Sequence, residues 1–275
     1  RDDNPGSMSN FWQRTITGLF FVVAIVIGLW WHPLAYMSIF ALVVLLGMYE
    51  FVRMLQGLDV KIRLFWAFLI GLFFYLGSFL FFYAQIQARW LVVIVPLVGG
   101  VFLSELYFKN KNSLLNIATT LITPLYVALP FAFLHHLAFY DGEYSYHLLL
   151  GFFLMIWAND SGAYVIGSLV GRHKLFPGVS PAKSWEGAVG GFVFTIVAGV
   201  FSYYVFGVLK LIDWIIISSL VAVLGTYGDL IESMLKRSVN IKDSGSVLPG
   251  HGGVLDRFDG VFFSAPAVSC YLLFC

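Results

Sequence analysis

Residues 233–259 read Ser-Met-Leu-Lys-Arg-Ser-Val-Asn-Ile-Lys-Asp-Ser-Gly-Ser-Val-Leu-Pro-Gly-His-Gly-Gly-Val-Leu-Asp-Arg-Phe-Asp. They gather four cations, three carboxylates, a histidine and four glycines. The chain around them is 60% hydrophobic and only 11% charged. An ionised side chain at mid-depth in a bilayer costs about 2.5–3.5 kcal/mol on insertion scales. A membrane protein that keeps so many charges together handles something charged, and phosphate and metal are the first candidates.

The residue types divide the work. Lys236, Arg237 and Lys242 are cations for an anion site, while Gly245, Gly250, Gly252 and Gly253 let backbone turn and approach a phosphate closely. His251, set between glycines, is a hydrogen-bonding group outside any two-histidine zinc spacing. Asp256-Arg257-Phe258-Asp259 opens the last apolar segment. A single Asp there would be explained as a helix cap. A second acid one turn on, with Arg257 between them, points to metal ligation by Asp256, with Asp259 beside it. Two further intramembrane sites carry acids: Asp160 in Trp157-Ala158-Asn159-Asp160-Ser161-Gly162, and Asp229 with Glu232, three apart on one helix face. Carboxylates close to a phosphate loop suit Mg²⁺, which takes one or two of them and completes its shell with phosphate oxygens. A second polar loop, 171–184, ends in Lys183 and Ser184. Ser184 is placed to cap the following helix, with Glu186 in its first turn, and that N-terminus adds free N–H groups for an anion. Lys183 is the residue expected to touch phosphate.

These residues need elements to carry them. With charge far below the roughly 25% of a soluble domain, the chain reads as an all-α polytopic membrane protein. Apolar runs with few charges, long enough for about 20-residue spans, fall at roughly 12–31, 34–54, 64–88, 90–107, 112–140, 146–170, 185–209, 212–236 and 259–275. That makes about nine spans, the fifth bent at Pro124 or Pro130. With the N-terminus inside, 13 Lys and Arg fall on one face and only Arg89 and Lys210 on the other. This asymmetry puts loops 171–184 and 236–257 in the cytoplasm. Residues 1–7 precede Met8 and read as an expression remnant, 8–145 as a transmembrane scaffold, and 146–275 as the catalytic half. Cys270 and Cys275 lack metal or redox spacing and read as packing residues. His135, His136, Glu50 and Glu105 stand in no motif and read as interfacial or packing residues.

From Ser233 through Lys236-Arg237, Lys242-Asp243, Leu248-Pro249, His251-Gly252-Gly253 to Asp256-Arg257-Phe258-Asp259, the run resembles the signature of the phosphatidate cytidylyltransferase (CDP-diacylglycerol synthase) family. Ser180-Pro181-x-Lys183-Ser184-Trp185-Glu186-Gly187 and Asn159-Asp160-Ser161-Gly162-Ala163-Tyr164 are also similar to it, with Ser184 where Thr is more familiar. The resemblance covers about 150–260. It implies Mg²⁺-dependent conversion of CTP and phosphatidic acid to CDP-diacylglycerol and pyrophosphate at the inner membrane.

On that chemistry Asp229 and Asp256 would hold Mg²⁺, with Asp160 and Asp259 as further ligands and room for a second cation. Lys236, Arg237, Arg257 and His251 would serve catalysis. Lys183, Ser184, Ser233, Lys242, Gly252 and Gly253 would bind substrate. Partners are then CTP, phosphatidic acid and the bilayer, with no nucleic acid and with homo-oligomers allowed. Two alternatives stay open on the residues: another membrane lipid phosphotransferase or kinase, and a cation-coupled transporter using Asp160 and Asp229.

Overall fold

The computed structural model describes residues 18, 22–108, 112–245 and 252–275. Helices α1 (Val22–Trp31), α2 (Pro33–Leu55), α3 (Leu64–Tyr83), α4 (Ile94–Phe108) and α5 (Ser113–Thr123) are followed by a π-helical stretch at Pro124–Ala128 and by α6 (Leu129–Ala138). The second half holds α7 (Tyr146–Val170), strands β1 (Lys174–Phe176) and β2 (Ser180–Ser184), then α8 (Trp185–Phe206), α9 (Leu211–Ser238) and α10 (Leu255–Leu272).

Among the described residues, seven helical segments are long and apolar enough to cross a membrane, and α1 is a shorter apolar helix. The all-α polytopic expectation holds. The expected first span extends into residues outside the described set. The last differs in its bounds: α10 begins at Leu255, four residues before the expected start at 259. Its polar first turn therefore belongs to the helix. The third span also stops early, at Tyr83.

The bend expected in 112–140 takes the form of π winding. Pro130 lacks an N–H, and its ring would clash with the carbonyl four residues back, so the turn before it widens. The Leu129 N–H accordingly bonds the Pro124 carbonyl, five residues back. Loop 171–184 departs from a purely helical chain. Pro177-Gly178 turns it into an antiparallel hairpin, with Lys174 opposite Ser184 and Phe176 opposite Ser180.

The core is aromatic and lies between the two halves. Phe258 packs edge-on against Phe131 at 5.3 Å and Phe40 at 6.1 Å, and Leu255, one turn earlier, is also buried. This anchor holds the first turn of α10 against α2 and α6. Cys270 and Cys275 are exposed, which corrects their reading as packing residues.

At one end of the scaffold, Glu105 on α4 receives Arg63 Nε at 2.8 Å and Nη2 at 2.6 Å on Oε2, and Asn116 Nδ2 at 2.8 Å on Oε1. Both charges are largely buried. Glu105→Ala is expected to destabilise by about 3–5 kcal/mol, because it strands a buried guanidinium. A lower thermal unfolding midpoint in detergent is the measurement that checks it.

Candidate functional site

The polar residues of the second half converge on a cavity of about 540 Å³. Asn159 and Asp160 reach it from α7, Lys183 and Ser184 from β2, Thr226 and Asp229 from α9, and Asp256, Arg257 and Asp259 from α10. Each arrives for a local reason. Lys183 rides on the hairpin, whose base is tied down by the Trp185 N–H bonding the His173 carbonyl at 2.9 Å. Glu186 adds a second tie, with His173 Nδ1 at 2.6 Å and backbone N–H groups of Arg172 and His173 at 3.1 and 3.2 Å. Ser184 caps α8 as expected, its Oγ accepting the Gly187 N–H at 3.2 Å.

Two lysines organise the acids. Lys183 Nζ forms an ion pair with Asp229 Oδ2 across the gap between β2 and α9. The Ser233 hydroxyl, one turn along α9, donates to Asp229 Oδ1 at 3.3 Å, so Ser233 holds Asp229 instead of lining the cavity. Lys236 Nζ lies 2.5 Å from Asp256 Oδ1 and 3.2 Å from Glu232 Oε1. Glu232 is buried, and the Lys236 ammonium is its ion-pair partner in the described structure. Asp256 is the most heavily engaged carboxylate. Its Oδ2 accepts the Gly253 N–H at 2.8 Å, the Ser244 hydroxyl at 3.0 Å and the Ser244 N–H at 3.2 Å. Asp259 Oδ1 accepts the Gly260 N–H at 2.7 Å.

The remaining expected site residues lie apart. Arg237 is exposed, and its guanidinium bonds the Ile241 carbonyl at 3.2 Å, closing the end of α9. Lys242 is exposed beyond that turn. Gly252 adopts a φ of 81°, the region that favours glycine. Gly252 and Gly253 flank Asp256 without lining the cavity. His251 lies outside the described residues.

One residue of this site carried no sequence signal. Glu50, on α2, is 1% exposed. Its Oε2 accepts the Leu255 N–H at 3.0 Å and faces the Ser244 hydroxyl at 3.4 Å. Only a charge in an apolar helix could have marked it, and with Arg53 one turn further on it looks like an ordinary charged helix end.

Asp160, Asp229 and Asp259 present hard oxygen donors to one cavity beside cationic side chains. Among the described residues no group of three His, Cys, Asp or Glu side chains is arranged to hold a metal ion unaided. Such a donor set suits a cation that takes part of its shell from phosphate, as Mg²⁺ does.

The cytidylyltransferase family model matches residues 12–275. The phosphatidate cytidylyltransferase of Staphylococcus saprophyticus is 38% identical over 167 residues, 60% of this chain and 62% of that protein. Its namesake from Staphylococcus haemolyticus is 37% identical over the same shares. Against these staphylococcal relatives the chain spans less than two thirds of their length. The phosphatidate cytidylyltransferase of Haemophilus influenzae is 31% identical over 284 residues, 95% of this chain and 98% of that protein. Both the family match and this last alignment run through scaffold and cavity alike, and the chain belongs to the cytidylyltransferase family.

Proposed function

We propose that this protein is an integral-membrane nucleotidyltransferase that converts CTP and phosphatidic acid to CDP-diacylglycerol and pyrophosphate. The observation that carries the reading is the cavity itself, where Lys183 and Arg257 stand among four aspartates carried by apolar helices. An apolar groove of about 460 Å³, formed by Ile166, Val189, Val193 and Phe194 on the same two helices α7 and α8, suits an acyl chain. We place the cavity on the cytoplasmic side of the inner membrane, where CTP is available.

The reaction joins two anions. A phosphate oxygen of phosphatidic acid forms a bond to the α-phosphorus of CTP, and the bond from that phosphorus to the bridging oxygen breaks. The electron pair leaves with pyrophosphate. The attacking oxygen is already anionic at neutral pH, so no strong general base is required. The barrier lies in bringing like charges together, as in phosphoryl transfer generally. Lys183 and Lys236 begin in ion pairs with Asp229 and Asp256. When substrate arrives they turn to phosphate oxygens, and Arg257 adds a third positive charge. Lys242, Arg237 and His251 would meet the triphosphate from the loop side. The acids Asp229 and Asp256, with Asp160 and Asp259, would hold Mg²⁺, which when bound neutralises phosphate charge. Ser233 keeps Asp229 oriented.

Purified protein in lipid–detergent micelles, given labelled CTP and phosphatidic acid, is expected to form labelled CDP-lipid and equimolar pyrophosphate. Chelation of divalent ions with EDTA should abolish turnover, and added Mg²⁺ should restore it. Release of CDP with a phosphorylated lipid would instead establish a kinase. Absence of any nucleotide chemistry would overturn the proposal.

A further inference from the structure

The backbone that carries Asp256 is held from behind by a carboxylate of the other half of the chain. The first N–H groups of a helix have no partner within it. At the start of α10 the preceding residue is Val254, which supplies no side-chain cap. Glu50 supplies one from α2, its Oε2 accepting the Leu255 N–H at 3.0 Å. The same oxygen lies 3.4 Å from the Ser244 hydroxyl, which is 3.0 Å from Asp256 Oδ2. A hydroxyl has one proton to give. The nearer acceptor, Asp256, takes it, so the firm bond of Glu50 is to the Leu255 N–H.

Two glycines allow the surrounding chain to close on this carboxylate. A Cβ at Gly245 would stand 2.5 Å from Glu50 Oε1, and one at Gly253 would stand 2.6 Å from Glu50 Oε2. Either approach would force the segment away. Glu50 Oε1 is buried without a hydrogen-bond partner in the described structure. A half-satisfied buried carboxylate is costly. An apolar side chain of equal length would bury more cheaply, so packing alone does not account for an acid here.

We propose that Glu50 is a positioning residue of the active site. By capping the first turn of α10 it fixes where the Asp256 carboxylate stands relative to Lys236 and the cavity. The inference rests on the reaction proposed above.

Two substitutions at this position separate a positioning role from a packing one. E50M keeps length and volume and removes the acceptor. It relieves a half-satisfied buried carboxylate but strands the Leu255 N–H, so it is expected to melt close to the wild type, yet to turn over CTP and phosphatidic acid at least about tenfold more slowly, with KM for CTP changed less than about threefold. E50Q keeps an acceptor for the Leu255 N–H and is expected to recover kcat to within about threefold of wild type. E50L, which removes the same acceptor with a different apolar shape, is expected to lower kcat to a similar extent, and it decides the matter if E50M does not fold. Unchanged kcat in E50M, or in E50L where that variant decides, overturns the inference while leaving the reaction standing. Wild-type protein that forms no CDP-lipid counts against the reaction. In that case amide hydrogen exchange over residues 252–260 still tests the cap. Faster exchange in E50M than in wild type and E50Q supports it, and equal exchange in all three overturns it.

Discussion

Asp256→Asn is expected to lower kcat by about 10³-fold while the protein still inserts and remains monodisperse, a loss of the size seen when a preorganised electrostatic interaction is removed. Asp256 Oδ1 meets Lys236 at 2.5 Å, and Oδ2 meets three donors from Gly253 and Ser244. An amide cannot accept on both sides. With its oxygen toward Ser244, its NH₂ faces the Lys236 ammonium. Turned the other way, its NH₂ faces three donors and the chain around Ser244 and Gly253 opens. Either choice also removes the negative charge proposed to hold Mg²⁺. Steady-state turnover per folded molecule, with solubilised yield and melting as controls, checks this. Near-normal turnover would take Asp256 out of the reaction.

Lys183→Ala should lower kcat/KM for CTP by about 10²-fold, the scale expected when a shielded site gives up one charge-assisted hydrogen bond to phosphate. The side chain stands on β2 and pairs with Asp229. Removing it subtracts a cation and leaves the Asp229 charge to repel the incoming nucleotide. The strand is at the edge of a two-stranded hairpin, and Ser184 still caps α8. Folding should therefore survive. Lys183→Arg is expected to recover part of the activity, because charge is restored but the fork is broader than an ammonium. KM and kcat for CTP measured in all three proteins test the assignment. Equal values in wild type and Lys183→Ala would remove Lys183 from the site.

The C-terminal half was legible because its polar residues cluster locally. Asp160, Lys183, Ser184, Asp229, Asp256, Arg257 and Asp259, all visible in short motifs, do line one cavity. The long apolar runs likewise marked the helices to within a few residues, since hydropathy over a span is a strong signal. Glu50 was not legible. Its partners are 194 and 205 residues away, and no local pattern encodes an interaction of that range. The hairpin was missed because two strands of three and five residues show no convincing alternation. Arg237 stands apart from the cavity for a simpler reason. On the last turn of α9 its neighbour Lys236 faces inward, and successive helical residues point about 100° apart.

Helices α7 and α8 meet backbone to backbone. A Cβ at Gly187 would lie 2.9 Å from the Ala163 carbonyl, and one at Gly191 would lie 2.9 Å from that of Asn159. Nothing larger than hydrogen fits along this seam, so the two helices cannot shear past one another by a fraction of a turn without collision. They form one stiff unit with the strand that carries Lys183. Lys183 therefore moves only together with the wall of the cavity that α7 and α8 supply.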